Sequence, residues 1–153
     1  MSLEFSGTQT LPIPREQVWD YLLNVNKVAA CAPGVEGLQQ LATERWKALV
    51  VASVGPVKTR FTLDITRSGM EKPAHMVVKG RGNAPGSVVE ASGDMRLIEL
   101  TPDSTRLDWK ASVLVSGALA NAGVYLLKGT IEKLTGQFFA CLKKNMQAHY
   151  RRW

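Results

Sequence analysis

The last quarter of the chain carries a helical stripe. Ala120, Gly123, Val124, Leu127, Ile131, Leu134, Phe138, Cys141 and Leu142 recur three or four residues apart. Lys128, Glu132, Lys133, Lys143 and Lys144 fall largely off it, which predicts one long amphipathic helix after Gly117. Before it, from about Val35 to Ser116, the alternation has period two, the pattern of half-buried antiparallel strands. The stripe is uneven: small residues (Ala120, Gly123) come first and large ones (Phe138, Phe139) later. Small side chains facing a concave sheet leave space. The pattern therefore predicts a cavity at the start of the helix and solid core towards its end.

Along the chain, Glu4 to Leu11 reads as a first strand with Phe5, Gly7, Gln9 and Leu11 on one face. Pro14 suits the first turn of a helix, and Glu16 favours its positive end. Val18, Trp19, Leu22, Leu23 and Val25 form an apolar helical face. Asn24 and Asn26 predict a break, Val28 to Ala32 a second short helix, and Pro33-Gly34 its stop. Val35 to Leu41 and Trp46 to Val54 resemble a hairpin, with Trp46, Ala48, Val50, Ala52 and Val54 on one face. In the next strand Val57, Thr59, Phe61, Leu63 and Ile65 alternate with Lys58, Arg60, Thr62, Asp64 and Thr66. Ala74 to Gly82 and Ser87 to Leu100 form the next pair. In the last strand Leu107, Trp109, Ala111, Val113 and Val115 face inward. The predicted order is strand, two short helices, six strands, long helix.

A chain of 153 residues without repeats or linkers reads as one domain, 1–153, long enough for a real core. No apolar run approaches the roughly 18–20 residues that a membrane span needs. The N-terminus lacks the basic-then-apolar pattern of a signal peptide. Two cysteines, Cys31 and Cys141, do not make a disulfide framework, so a cytoplasmic location is the default expectation. The two could meet if the second short helix packs under the end of the long one, but buried thiols are expected rather than a disulfide or metal site. The net charge of +6 permits attraction to anionic lipid, nucleic acid or an acidic partner, and serves solubility as well. Basic residues cluster only at the C-terminus.

Candidate chemistry is sparse. The glycine-rich run from Gly80 to Gly86 is followed by a strand, not a helix, and lacks a Lys-Ser/Thr pair; it reads as a hairpin loop, not a phosphate cradle. His75 and His149 have no ligand-like neighbours and read as surface residues. No Ser-His-Asp or Cys-His arrangement is legible. Asp64, Asp94 and Asp108 occupy the polar positions of their strands. The predicted inner faces thus carry almost no ionisable groups, which argues against an enzyme, because acid–base catalysis needs a titratable group at the substrate. Trp19 and Trp109 lie on core-facing stripes, so the aromatics do not form a stacking platform for nucleic acid.

The layout resembles the helix-grip, START-like (SRPBCC) superfamily of birch-pollen-allergen proteins, polyketide cyclases and lipid-transfer domains. Within it the chain resembles the family of the G subunit of carbon monoxide dehydrogenase. The matching stretches are Phe5-Ser6-Gly7, Pro14 to Trp19, Ala30 to Val35, Val54-Gly55-Pro56-Val57-Lys58 leading to Phe61, Gly117 to Ala120 with Gly123, and Gln137-Phe138-Phe139. The resemblance implies an accessory role beside a molybdenum-containing carbon monoxide dehydrogenase or related hydroxylase, including its recruitment to the membrane and the handling of a quinone acceptor. Several such proteins carry a long tail that reaches the membrane. Here Arg151-Arg152-Trp153 follow directly on the helix, so anchoring is less directly implied than ligand binding.

The expected fold is α+β: a seven-stranded antiparallel sheet curved around a long C-terminal helix, with two short helices after the first strand. The expected function is that of a non-catalytic carrier for an apolar, quinone- or lipid-like molecule, with no cofactor, no metal and no nucleic acid. Strand parity and helix phase nominate Val54, Phe61, Leu63, Met95, Trp109, Val113, Gly123, Val124 and Leu127 as ligand contacts. Lys143, Lys144, Tyr150, Arg151, Arg152 and Trp153 are the candidates for peripheral contact with an anionic membrane at its inner face. The alternatives are a cyclase, dehydratase or hydrolase on the same fold, which an inward-facing His75 or Arg81 would support, and an assembly factor with a filled cavity.

Overall fold

The computed structural model describes residues 1–150. Strand β1 (Ser2–Leu11) leads into helices α1 (Arg15–Leu23) and α2 (Val25–Ala29). Strands β2 (Val35–Ala42), β3 (Arg45–Val54), β4 (Val57–Glu71), β5 (His75–Ala84), β6 (Ser87–Thr101) and β7 (Ser104–Gly117) follow. A short 3-10 turn (Ala118–Ala122) then precedes helix α3 (Val124–Tyr150). The strands form one antiparallel sheet in the order β1-β7-β6-β5-β4-β3-β2. Each strand from β2 to β7 lies beside its chain neighbours, and β1 crosses over to pair with β7. The sheet curves around α3, giving the expected helix-grip α+β architecture.

The inward positions are those the alternation marks. Leu107 and Val115 of β7 are buried, as are Trp46, Ala48 and Val54 of β3 and Phe61 of β4. Two apolar clusters result. One joins α1, the C-terminal half of α3 and the strands beneath them, with Trp19, Leu107, Leu142 and Met146 at its centre. The other lies under the first turn of α3 and contains Leu3, Val54, Val113, Val115 and Leu127.

Local chemistry sets several boundaries differently from the sequence expectation. Helix α2 starts at Val25 because Asn24, at the end of α1, also caps the next helix: its side chain accepts a hydrogen bond from Lys27 N at 3.3 Å. The long helix starts at Val124, not near Ala120. Gly123 has φ +91°, so it ends the 3-10 turn and cannot sit inside a continuous helix. Strand β5 runs on to Ala84, through most of the glycine-rich run expected to be a loop. There Gly82 makes room for neighbouring side chains, since a Cβ would lie 2.6 Å from Leu63 Cδ2. His75, expected at the surface, is buried, because it sits between strand partners with Nε2 2.9 Å from Asp94 Oδ2.

The cysteines depart most from expectation. Cys31 and Cys141 form a disulfide, with their Cα atoms 5.5 Å apart across 110 residues of sequence. The turn after α2 lies directly against α3, which brings the two together. The expectation of free thiols is therefore overturned.

Candidate functional site

Between the sheet, the two short helices and α3 lies a cavity of about 410 Å³. Its wall is almost entirely apolar. Helix α1 supplies Leu22, and the α2 segment supplies Val25, Val28, Ala29, Ala32 and Pro33. The sheet supplies Trp46, Ala48 and Val50 from β3, Leu63 and Ile65 from β4, Met76 and Val78 from β5, Gly93 and Met95 from β6, and Trp109 and Ala111 from β7. Helix α3 closes it with Phe138 and Phe139. Asp94 and Lys110 also touch its boundary.

Of the residues nominated from sequence, Leu63, Met95 and Trp109 lie together on this wall. Val54, Val113 and Leu127 are instead packed in the second apolar cluster. Phe61 is buried beside Gly82 and off the wall. Val124 is exposed, and nothing lies within 4 Å of where a Cβ on Gly123 would be. The cavity thus sits beside the middle of α3, at Phe138 and Phe139, and not at the start of the helix, which the size gradient marks. At the Gly123 end, Leu3, Val54 and Val115 close in beneath the helix and fill the space that small residues would leave.

Trp109 stacks on Phe139 with ring centres 5.3 Å apart, and Phe138 meets Phe139 edge-on at 5.3 Å. Gly7 on β1 pairs with Trp109 on β7 and leaves room for the indole, since a Cβ at residue 7 would come within 2.8 Å of it. The Trp109–Phe139 pair also walls a second, more polar cleft between β1 and α3 that includes Gln9, Thr135 and Gly136.

Arg67 is a charged cavity residue that the sequence reading passes over. It continues the inward positions Phe61, Leu63 and Ile65 by one more step along β4. Its Nε donates to Glu44 Oε2 at 2.7 Å, and its Nη1 donates to the carbonyl of Leu23 at 2.8 Å. Its guanidinium lies 4.5 Å from the centre of the Trp46 ring. Arg67 therefore ties the end of α1 and the β2–β3 turn to the cavity's floor. Extending the period-two pattern past Thr66 finds it.

His75 and Arg81, whose inward orientation would favour catalysis, lie off the cavity wall. His75 bonds Asp94 and lies 3.5 Å from Glu71 Oε1, while Arg81 pairs with Glu90; neither lines the cavity. Among the described residues, no cluster of three or more His, Cys, Asp or Glu has a geometry that could hold a metal. Lys143 and Lys144 are exposed on α3, whereas Tyr150 packs against the first apolar cluster. Arg151, Arg152 and Trp153 lie outside the described residues. No described helix is long and apolar enough to cross a membrane.

Comparison with solved structures supports the same fold. A conserved protein from Geobacillus kaustophilus superposes with a TM-score of 0.89 at 24% identity, covering 95% of this chain and 96% of that one. The Zhui aromatase/cyclase from Streptomyces sp. R1128 gives 0.69 at 18% identity, over 96% and 94%. A START superfamily protein from Mycobacterium smegmatis gives 0.71 at 12%, over 95% and 97%. No curated protein shows significant sequence similarity. The family model for CoxG, the G subunit of carbon monoxide dehydrogenase, matches residues 7–147, and the chain belongs to that family.

Proposed function

From this membership and the cavity, we propose that the protein is a non-catalytic carrier for an apolar, quinone- or lipid-like molecule that serves a molybdenum hydroxylase of the carbon monoxide dehydrogenase type. The observation that carries the reading is the cavity wall itself: about 410 Å³ lined almost wholly by aliphatic and aromatic side chains. That volume lies within the roughly 300–1,000 Å³ of small-molecule sites. Apolar burial is then the driving force, at about 0.8 kcal/mol per CH₂, so each five-carbon isoprenoid unit contributes on the order of 4 kcal/mol. Such a ligand needs no charged anchor. A cyclase or hydrolase would need a titratable group free at the substrate. Of the charged residues that reach the cavity, Arg67 is committed to Glu44 and Leu23 and the Asp94 carboxylate is held by His75, which favours the carrier reading. The exposed Lys143 and Lys144 suit a transient, peripheral visit to an anionic membrane where such a ligand is collected.

Gly93→Leu tests the site. Gly93 lines the cavity, and a Cβ there meets nothing closer than the Val78 carbonyl at 3.9 Å, so the added side chain enters empty space. Trp46 and Trp109 are both on the wall, so a bound naphthoquinone should quench their emission. The variant should keep its fold and lose saturable quenching. Equal quenching curves for a folded variant and the parent protein would place the ligand elsewhere.

A further inference from the structure

We propose that the Cys31–Cys141 disulfide is a redox-operated clasp that holds the α2 segment over the cavity, and that its reduction releases the segment and speeds ligand exchange. Its biological sense rests on the carrier reading above.

The segment from Val25 to Pro33 contributes Val25, Val28, Ala29, Ala32 and Pro33 to the cavity wall. Its helix has five residues and none of them is buried. A helix this short has little stability of its own, so its position depends on what holds it. At its start, the extended backbone of Asn24 separates it from α1. At its end, Gly34 has φ +82°, and a side chain there would collide with the Val51 carbonyl, so the backbone turns sharply into β2. Between these two bends, the disulfide is the covalent tie to α3. It is attached three residues beyond Phe138, which lines the cavity together with Val28 and Ala29. The Asn145 amide lies 3.4 Å from Cys31 Sγ and 3.5 Å from Cys141 Sγ, so both sulfurs have a fixed polar neighbour on α3.

The chemistry is ordinary thiol–disulfide exchange with a dithiol reductant. Cys31 is buried but Cys141 is only half-buried, so a reductant thiolate attacks Cys141 Sγ. The Cys31–Cys141 bond breaks, Cys31 leaves as a thiolate, and a mixed disulfide forms on Cys141. The reductant's second thiol displaces Cys141 and closes the reductant into its own disulfide. Two electrons and two protons pass to the protein, which ends with two thiols. A disulfide oxidant reverses the sequence. The reduced segment is then held by non-covalent contacts alone, on α1, on β2 and through Cys31 and Val28 in the first apolar cluster, and local opening of such elements is what admits and releases ligands.

Two readouts on the intact protein test this. Hydrogen exchange at the amides of residues 25–33 should accelerate when dithiothreitol reduces the protein, while exchange in β6 and β7 stays unchanged. This readout needs no ligand, so it stands even if the carrier reading fails. The second readout is the off-rate of anilinonaphthalene sulfonate as a cavity probe. Reduction should raise it by about tenfold or more, as opening of a local flap would. Cys31→Ser/Cys141→Ser should show the fast rate without reductant, and reductant should not change it further. A double variant that fails to fold leaves the wild-type comparison intact. Unchanged exchange at 25–33 on reduction overturns the clasp, as does thiol titration showing two free cysteines in protein equilibrated with a disulfide oxidant. Accelerated exchange with no probe binding in either state would keep the clasp and remove the carrier reading.

Discussion

Gly7 is small because the Trp109 indole lies over it, and Trp109 in turn forms the cavity's aromatic wall with Phe139. Gly7→Ala should force that ring to move, at a cost of about 1–3 kcal/mol for overpacking. Denaturant unfolding followed by far-UV circular dichroism measures the loss; an unchanged midpoint would mean that the ring relaxes freely. Arg67 is legible in principle, because the β4 alternation simply continues through it. A basic residue at an inward position contradicts the expectation of an apolar face, and only the structure shows why it is tolerated. Glu44, the Leu23 carbonyl and the Trp46 ring together satisfy it. No sequence spacing announces those three partners, which come from a turn, a helix end and a neighbouring strand. The Cys31–Cys141 pairing is similar: the sequence allows it but does not announce it, because it depends on how the α2 turn meets α3.

At the scale of elements, strands are legible in the sequence and helix ends less so. The strands are legible as elements in chain order, and where the alternation is strict the inward face is legible too, as in β7, where Leu107, Trp109, Ala111, Val113 and Val115 lie on one face and Leu107, Val113 and Val115 are buried. The start of α3 is not legible, because Ala120 and Gly123 fit a helical stripe by spacing while their backbone does not follow it. This difference has a direct consequence. Gly123 has φ +91° and ψ 157°, a region that only glycine adopts readily, and open space around it, so Gly123→Ala should destabilise by about 1–3 kcal/mol through backbone strain alone. Gly129 lies inside α3 with equally open space, so Gly129→Ala should stabilise by about 0.5–1 kcal/mol. Thermal unfolding of the two variants should therefore move in opposite directions; a shared stabilisation would mean that the helix runs through residue 123. The cavity's position escapes the sequence for a related reason. Residue size along one helix says nothing about how closely the opposing sheet approaches, and β1, β3 and β7 close in under Leu127 while the α2 segment leaves space beside the middle of the helix, at Phe138 and Phe139.

For the whole molecule, fold and family follow from the sequence, while the use of the cavity is an inference from its shape and lining. A carrier must meet its ligand's source. The basic surplus and the exposed Lys143 and Lys144 predict weak docking to anionic vesicles, at about 1 kcal/mol for each basic residue near the surface. Co-sedimentation should require anionic lipid and fall with added salt; absence of binding even at low salt would shift ligand delivery to a protein partner. The most direct measurement is mass spectrometry of the apolar extract from the purified protein, compared with that from Gly93→Leu. The carrier account predicts one quinone- or lipid-like molecule per chain in the parent protein and its loss from the folded variant. An extract free of apolar ligand, together with no saturable binding of added naphthoquinone or lipid, would contradict it.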